Sequence, residues 1–104
     1  MNVIDVLHVH ARGLPLEHDD RAVLEQRVTS ALDRFADRVR RVDLSLVDVN
    51  GPRGGIDVRC HAHVALRDGL SVDVEARGES PLAAITIALG RLRRSVARRR
   101  RPRR

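Results

Sequence analysis

Four segments of the chain alternate apolar and polar residues with a period of two, which predicts four β-strands. They are residues 3–11, 42–46, 56–66 and 70–77. The last two are separated by Asp68-Gly69, a dipeptide typical of a hairpin turn. Because each strand has one apolar and one polar face, the sheet is expected to be covered on one side only.

Two further segments repeat apolar residues at intervals of three and four, which is typical of amphipathic helices. The first helix is predicted to end at about Asp37 and carries a continuous apolar stripe. The stripe consists of Leu24, Val28, Ala31, Leu32, Phe35 and Val39. The second helix is predicted over residues 80–101, where Ser80 is the N-cap and Pro81 takes the first helical position.

The order β-α-β-β-β-α predicts an α+β fold, a four-stranded mixed sheet with two helices on one face. The first β-α-β unit is expected to form a right-handed parallel crossover. With 104 residues, the chain is expected to form a single domain over residues 1–92, whose last helix continues to about 101. Residues 93–104 then form an Arg-rich C-terminal extension.

The basic residues of the chain are all arginine, and they are concentrated at one end. Residues 1–90 contain 11 Arg and 14 Asp or Glu, which gives a net charge of −3. Residues 91–104 contain 9 Arg and no acid, which gives +9 and an overall charge of +6. This asymmetry indicates a polyanionic partner, either nucleic acid or an anionic membrane surface.

The sequence disfavours several classes of protein. It has no motif of nucleotide-dependent or nucleophilic catalysis, so we expect no enzyme, no cofactor and no small-molecule substrate. Cys60, the only cysteine, falls on the apolar face of its strand and is expected to be a buried small hydrophobe. The first residues do not resemble a signal peptide and the longest uncharged run, 80–90, is too short to cross a bilayer. We therefore expect a cytoplasmic protein without a membrane partner.

Arginines recur with helical spacing on both predicted helices. At about 100° per residue, four of them fall within about 60° on a flank of the first helix, the last two at or past its end. The first-helix set is Arg27, Arg34, Arg38 and Arg41, and the last-helix set is Arg91, Arg94, Arg98 and Arg101. Guanidinium groups bind phosphate oxygens, which indicates structured RNA recognised through its backbone and shape. The alternative is a solvated face that makes weak ion pairs.

Four of the five histidines form two His-x-His pairs, His8 with His10 and His61 with His63. Each pair lies on one face of its strand, so four imidazoles could bind Zn²⁺ or Cu²⁺ if the two strands are close. Imidazoles on an open, solvated sheet face are the simpler interpretation, and no metal site is assigned. That face, with Val47, Val49, His61 and His63, also supports an alternative function as a dimerisation or protein-interaction module.

Two passages of the sequence resemble one protein family. The first runs from Gly78 to Ile85 (Gly-Glu-Ser-Pro-Leu-Ala-Ala-Ile) and continues into Arg91-Leu92 and the basic run. The second contains Asp48-Val-Asn-Gly51, Gly54-Gly55, Asp57 and Arg59-Cys60. Both are similar to the hibernation-promoting factor / ribosome-associated inhibitor family, and the second resembles a short proteobacterial branch of it.

The resemblance implies a bacterial protein with a double-stranded-RNA-binding-like fold. It also implies that the protein binds the small ribosomal subunit, in the channel used by mRNA and tRNA. Occupancy of that channel blocks translation and preserves idle ribosomes under stress. By position, Arg91, Arg98 and Arg99 match basic sites of the family's last helix, and Arg38 matches one at the end of the first. The family's usual Asp, Tyr and second Asp are replaced by Ser80, Leu82 and Thr86. Ribosome pairing through the long members' C-terminal dimerisation domain is not expected, and self-association stays open.

Overall fold

Four strands and two helices follow one another in the predicted order. The computed structural model describes residues 6–14, 18–50 and 57–99. The elements are β1 (Val6–Arg12), α1 (His18–Leu32), a short 3₁₀ helix (Asp33–Phe35), β2 (Val39–Asp48), β3 (Val58–Leu66), β4 (Ser71–Gly78) and α2 (Pro81–Arg98). They form a single sheet in the order β1-β2-β3-β4, in which β1 and β2 are parallel and the other neighbours antiparallel. The α+β fold and the mixed four-stranded sheet are therefore confirmed.

Both helices cover the same face of the sheet. On β2, β3 and β4 the buried side chains alternate with exposed or half-buried ones, and the buried set joins the apolar sides of α1 and α2 in one core. The strand contribution includes Val42, Leu44, Leu46, Val58, Cys60, Ala62, Val64, Leu66, Val72 and Ala76. The alternate positions form the open face of the sheet, as the strand patterns predict.

The start of α2 is fixed by local hydrogen bonding and by close packing against the end of β4. The Ser80 hydroxyl oxygen accepts a hydrogen bond from the backbone N–H of Ala83 at 3.1 Å, and Pro81 begins the helix. A Cβ atom on Gly78 would lie 2.5 Å from the backbone nitrogen of Ala84. The strand can approach the helix this closely only because residue 78 has no side chain.

The first helix is shorter than its apolar spacing predicts. It ends at Leu32 rather than about Asp37 and is followed by the 3₁₀ helix and then a turn. In the turn, the backbone N–H of Arg38 donates a hydrogen bond to the carbonyl oxygen of Phe35 at 2.8 Å. Val39, predicted to extend the helical stripe, is instead the buried first residue of β2. The prediction is wrong there because a buried residue at the start of a strand happens to continue the helical spacing.

The last helix also ends before its predicted limit. It stops at Arg98, and Arg99 leaves the helical conformation with φ −83° and ψ 82°. Val96 is the last residue of α2 that packs into the core, so a further turn would have no apolar contact to hold it. Arg101 and the loop residues 51–56 lie outside the described residues.

Candidate nucleic-acid interface

The outer surface of α2 carries a row of exposed arginines, Arg91, Arg94 and Arg98, which we call the α2 arginine row. Their spacing of three and four residues places them along the solvent side of the helix, away from Ile85 and Leu92 in the core. Residues 81–99 contain no acidic side chain. Within the described part of the chain, none of the three guanidinium groups forms an ion pair with a carboxylate. The row therefore presents uncompensated positive charge.

The row begins at the edge of the sheet. A guanidinium nitrogen of Arg91 donates a hydrogen bond to the backbone carbonyl of Glu75 on the edge strand β4. Arg91 also lines a shallow open cleft of about 420 Å³ between α2 and β4, together with Arg59, Glu75, Ala76, Arg77 and Ile87. The positive surface of α2 thus continues around the edge of the sheet towards its open face.

Arg27 lies on the first helix, as the sequence predicts, whereas Arg34 lies just past its end. Arg27 is exposed on α1, and Arg34 is exposed in the 3₁₀ helix that follows. The Arg34 Cζ atom lies 5.8 Å from the centroid of the Phe35 ring, a cation–π distance. These two guanidinium groups are on the same side of the sheet as the α2 arginine row.

Arg38 lies in the turn before β2, where it binds the end of α2. Its guanidinium group donates to the carbonyl oxygen of Val96 at 3.1 Å and to that of Arg99. The last carbonyls of a helix have no partner within the helix and carry partial negative charge, so a cation is favourable there. Arg38 thereby fixes the end of α2 to the turn that follows the first helix. The sequence predicts the residue but not this contact, which links positions 58 residues apart.

Arg41 lies past the end of the first helix, on the opposite side of the molecule from the helices, so its predicted alignment with the flank of that helix is wrong. It is part of β2, opposite Ala65 in the sheet register, and its side chain is on the open face. Its Nε atom is 2.7 Å from the Asp43 carboxylate oxygen Oδ2, and this hydrogen bond is the main cause that lowers the pKa of Asp43. Because α1 ends at Leu32, the four first-helix arginines do not form one row.

A second row of arginines, which the sequence pattern alone did not single out, crosses the open face. The row lies along one line of paired residues across the four strands, in the order Arg12, Val47, Arg59 and Arg77. All three arginines are exposed. Arg77 is 3.5 Å from a carboxylate oxygen of Asp57. The alternation of each strand places its arginine on the polar face, which the sequence does show. Only the strand register shows that the three arginines lie beside one another across the sheet.

The four histidines of the two His-x-His pairs lie on the open face, in two neighbouring lines of the register. One line is His8, Asp43, His63 and Asp73, and the other is His10, Ser45, His61 and Glu75. His61 Nε2 and His63 Nδ1 are both close to one oxygen of Asp73, at 3.1 and 2.9 Å. The predicted pairing of each His-x-His on one face is confirmed. Val47 and Ala65 are the only apolar residues that β2, β3 and β4 place on this face. The face is therefore polar and gives little support to an apolar docking surface.

Cys60 occupies the opposite face of β3, inside the core. It has no exposed surface, and burial raises the pKa of its thiol to about 12. This confirms the prediction of a buried small hydrophobe, because a reactive thiol needs exposure and an accessible thiolate form.

The fold is similar to that of two solved proteins. A ribosomal subunit interface protein from Coxiella burnetii matches with a TM-score of 0.72 over 89% of this chain and 94% of its own, at 12% sequence identity. The N-terminal domain of Protein Y from Thermus thermophilus matches with a TM-score of 0.71 over 96% of this chain and 100% of that domain, at 29% identity. The sequence matches no family model, and a search of curated proteins finds no match.

Across the described residues, neither helix combines the length and apolar character needed to cross a membrane. The likeness to the Coxiella protein, at 12% identity, shows the fold alone, whereas the likeness to the Thermus domain extends to sequence at 29%. The chain therefore has, over nearly its whole length, the architecture of the Protein Y N-terminal domain and of a ribosomal subunit interface protein.

Proposed function

We propose that the protein is a ribosome-associated translation inhibitor, a hibernation factor of the bacterial cytoplasm that binds the small ribosomal subunit. The observation that carries the proposal is the likeness to the Protein Y N-terminal domain, at 29% identity over 96% of the chain. The family resemblance of residues 78–92 and the fold shared with a ribosomal subunit interface protein support the same function. By occupying the mRNA and tRNA channel, the bound protein excludes both ligands.

The α2 arginine row supplies the main contact with rRNA in this proposal. Exposed guanidinium groups bind phosphate oxygens bidentately, and each contact releases condensed counterions, so affinity falls as salt concentration rises. The absence of acids from residues 81–99 removes competing partners from this surface. With one aromatic side chain in the chain, recognition rests on phosphate positions and RNA shape rather than base stacking.

The other arginines have different parts in the same proposal. Arg27 and Arg34 extend the contact from the first helix, and Arg99 and Arg101 extend it beyond α2. Arg38 acts as a positioning residue, because its hydrogen bonds to Val96 and Arg99 fix the end of the helix that carries the row. Arg41 is excluded from a docking surface formed by the helices, since it lies on the open face of the sheet.

The test is a salt titration of binding to purified small subunits. The triple variant Arg91→Gln, Arg94→Gln, Arg98→Gln should lower the slope of log affinity against log salt by about 3, roughly 1 for each lost phosphate contact. A matched control is available on β1 and β2, away from the cleft that Arg91 lines, where replacing Arg12, Arg40 and Arg41 by Gln removes the same charge from exposed positions.

The control triple variant is expected to keep the wild-type slope to within about 1, since long-range attraction is screened over about 8–10 Å near physiological salt. An unchanged slope in the α2 triple variant, or an equal loss in both triple variants, would contradict binding through α2. The second result would indicate nonspecific attraction governed by net charge alone.

A further inference from the structure

We infer that the open face of the sheet holds a binding site for a transition-metal dication, Zn²⁺ in the first instance, formed by His8, His10 and Asp43. The three residues come from two neighbouring parallel strands. His8 and His10 are two residues apart on β1, so both side chains are on the same face, and Asp43 is directly opposite His8 on β2. The site is on the other side of the sheet from the α2 arginine row and does not depend on the proposed ribosome binding.

The ligand atoms are already close together. One nitrogen of each imidazole and one oxygen of the carboxylate all lie within 4.8 Å of one another. With metal–ligand bonds near 2.0–2.1 Å, a tetrahedral site separates its ligands by about 3.4 Å. The two imidazoles are exposed at the sheet surface, their ring centroids 5.9 Å apart, so side-chain rotation alone can close the remaining distance. The backbone does not need to move.

The donor set determines the kind of metal. Two imidazole nitrogens and one carboxylate oxygen suit Zn²⁺ or Cu²⁺, whereas Mg²⁺ and Ca²⁺ prefer sites made of oxygen atoms alone. Three protein ligands leave a fourth position for water, as in zinc sites that stay open to solvent. The only thiol of the chain, Cys60, is buried on the other face and does not compete for the ion.

The neighbours of the three residues are consistent with this role. Arg41 donates two hydrogen bonds to the Asp43 carboxylate, at 2.7 and 3.2 Å, which fix its orientation. Hydrogen bonds of this kind commonly orient the carboxylate ligands of metals. Among the described residues, His61 and His63 do not bring three ligand atoms together in this way, although both are close to Asp73. The structure thus selects one His-x-His pair over the other, a choice that the sequence leaves open.

The experiment is isothermal titration calorimetry of the full chain, prepared without a histidine tag, using Zn²⁺ alone. The wild-type protein should bind one Zn²⁺ per chain. His10→Ala and Asp43→Asn should each weaken binding by at least about 10-fold, because even the loss of a residue that only supports a ligand costs 10–100-fold. His61→Ala is the matched control, since it removes an imidazole from the same face but outside the site, and it should leave the affinity within about 2-fold.

His8→Ala provides a second ligand variant, and circular dichroism of each variant confirms that the exposed substitutions leave the fold intact. Titration with Mg²⁺ should give no binding. Absence of Zn²⁺ binding by the wild-type chain would overturn the inference. So would equal losses in the His10→Ala and His61→Ala variants, which would indicate scattered surface imidazoles instead of a defined site.

Discussion

Replacing Arg38 by alanine should destabilise the protein through the end of α2. The half-buried guanidinium group donates to the carbonyls of Val96 and Arg99 at the helix terminus, and the Val96 carbonyl also accepts the backbone N–H of Arg99 at 3.2 Å. A hydrogen bond that involves a charged group contributes about 1.5–3 kcal/mol, and because both Arg38 bonds are partly or fully exposed we expect a combined loss at the low end, about 1.5 kcal/mol. In a domain of this size 1 kcal/mol shifts Tm by about 4–8 °C, so Tm should fall by about 6–12 °C.

Thermal unfolding followed by circular dichroism measures this shift, and Arg94→Ala is its matched control. Arg94 is exposed on the same helix and makes no hydrogen bond within the described residues, so its replacement should change stability by less than about 0.5 kcal/mol. Equal Tm values for the Arg38 variant and the wild type would mean that the guanidinium group does not stabilise the helix end.

Three further outcomes follow from the packing. Gly90→Ala should raise the free energy of unfolding by up to about 1 kcal/mol in urea denaturation, because a Cβ there meets only the Arg94 side chain at 3.7 Å. Gly78→Ala should lower it in the same assay, since its Cβ would overlap the backbone of α2, and a gain in stability would contradict the close approach. Cys60 should react with an aromatic disulfide reagent at neutral pH only after denaturation, because it is buried and its thiol pKa is raised to about 12.

The fold is predictable from this sequence because local signals and the apolar pattern agree. Ser80 and Pro81 mark the start of the last helix, and Asp68-Gly69 marks the hairpin, in which Gly69 has a φ of 93°. These residues act through their nearest neighbours in the chain, so their conformations can be inferred without knowing the rest of the structure. The parallel pairing of the first two strands follows from the helix between them, which is long enough for a crossover.

The candidate sites depend on contacts between distant parts of the chain, and the sequence alone does not supply them. The spacing of Arg41 from Arg34 and Arg38 fits a helix, but the helix ends before all three of them, and the strand that follows places Arg41 on the other face. The apolar residue Val39 keeps the helical spacing although it follows the turn and begins a strand. The spacing of apolar residues alone therefore cannot show that the helix has already ended.

The alignment of side chains across the sheet cannot be inferred from the sequence either. A shift of one residue between β1 and β2 would move Asp43 away from the position opposite His8, although the pattern of either strand would be unchanged. The sequence therefore identifies the histidines as candidates but does not identify the carboxylate beside them. Only the register brings Asp43 to His8 and His10.

Sedimentation of the ribosomes with the protein tests whether this chain binds the small ribosomal subunit. The tagged protein, in lysate from stationary-phase cells, is centrifuged through sucrose gradients at low and at high salt. The proposal predicts that the protein migrates with small subunits and whole ribosomes at low salt and moves to the top of the gradient as salt rises. Protein that stays at the top under both conditions would contradict the claim.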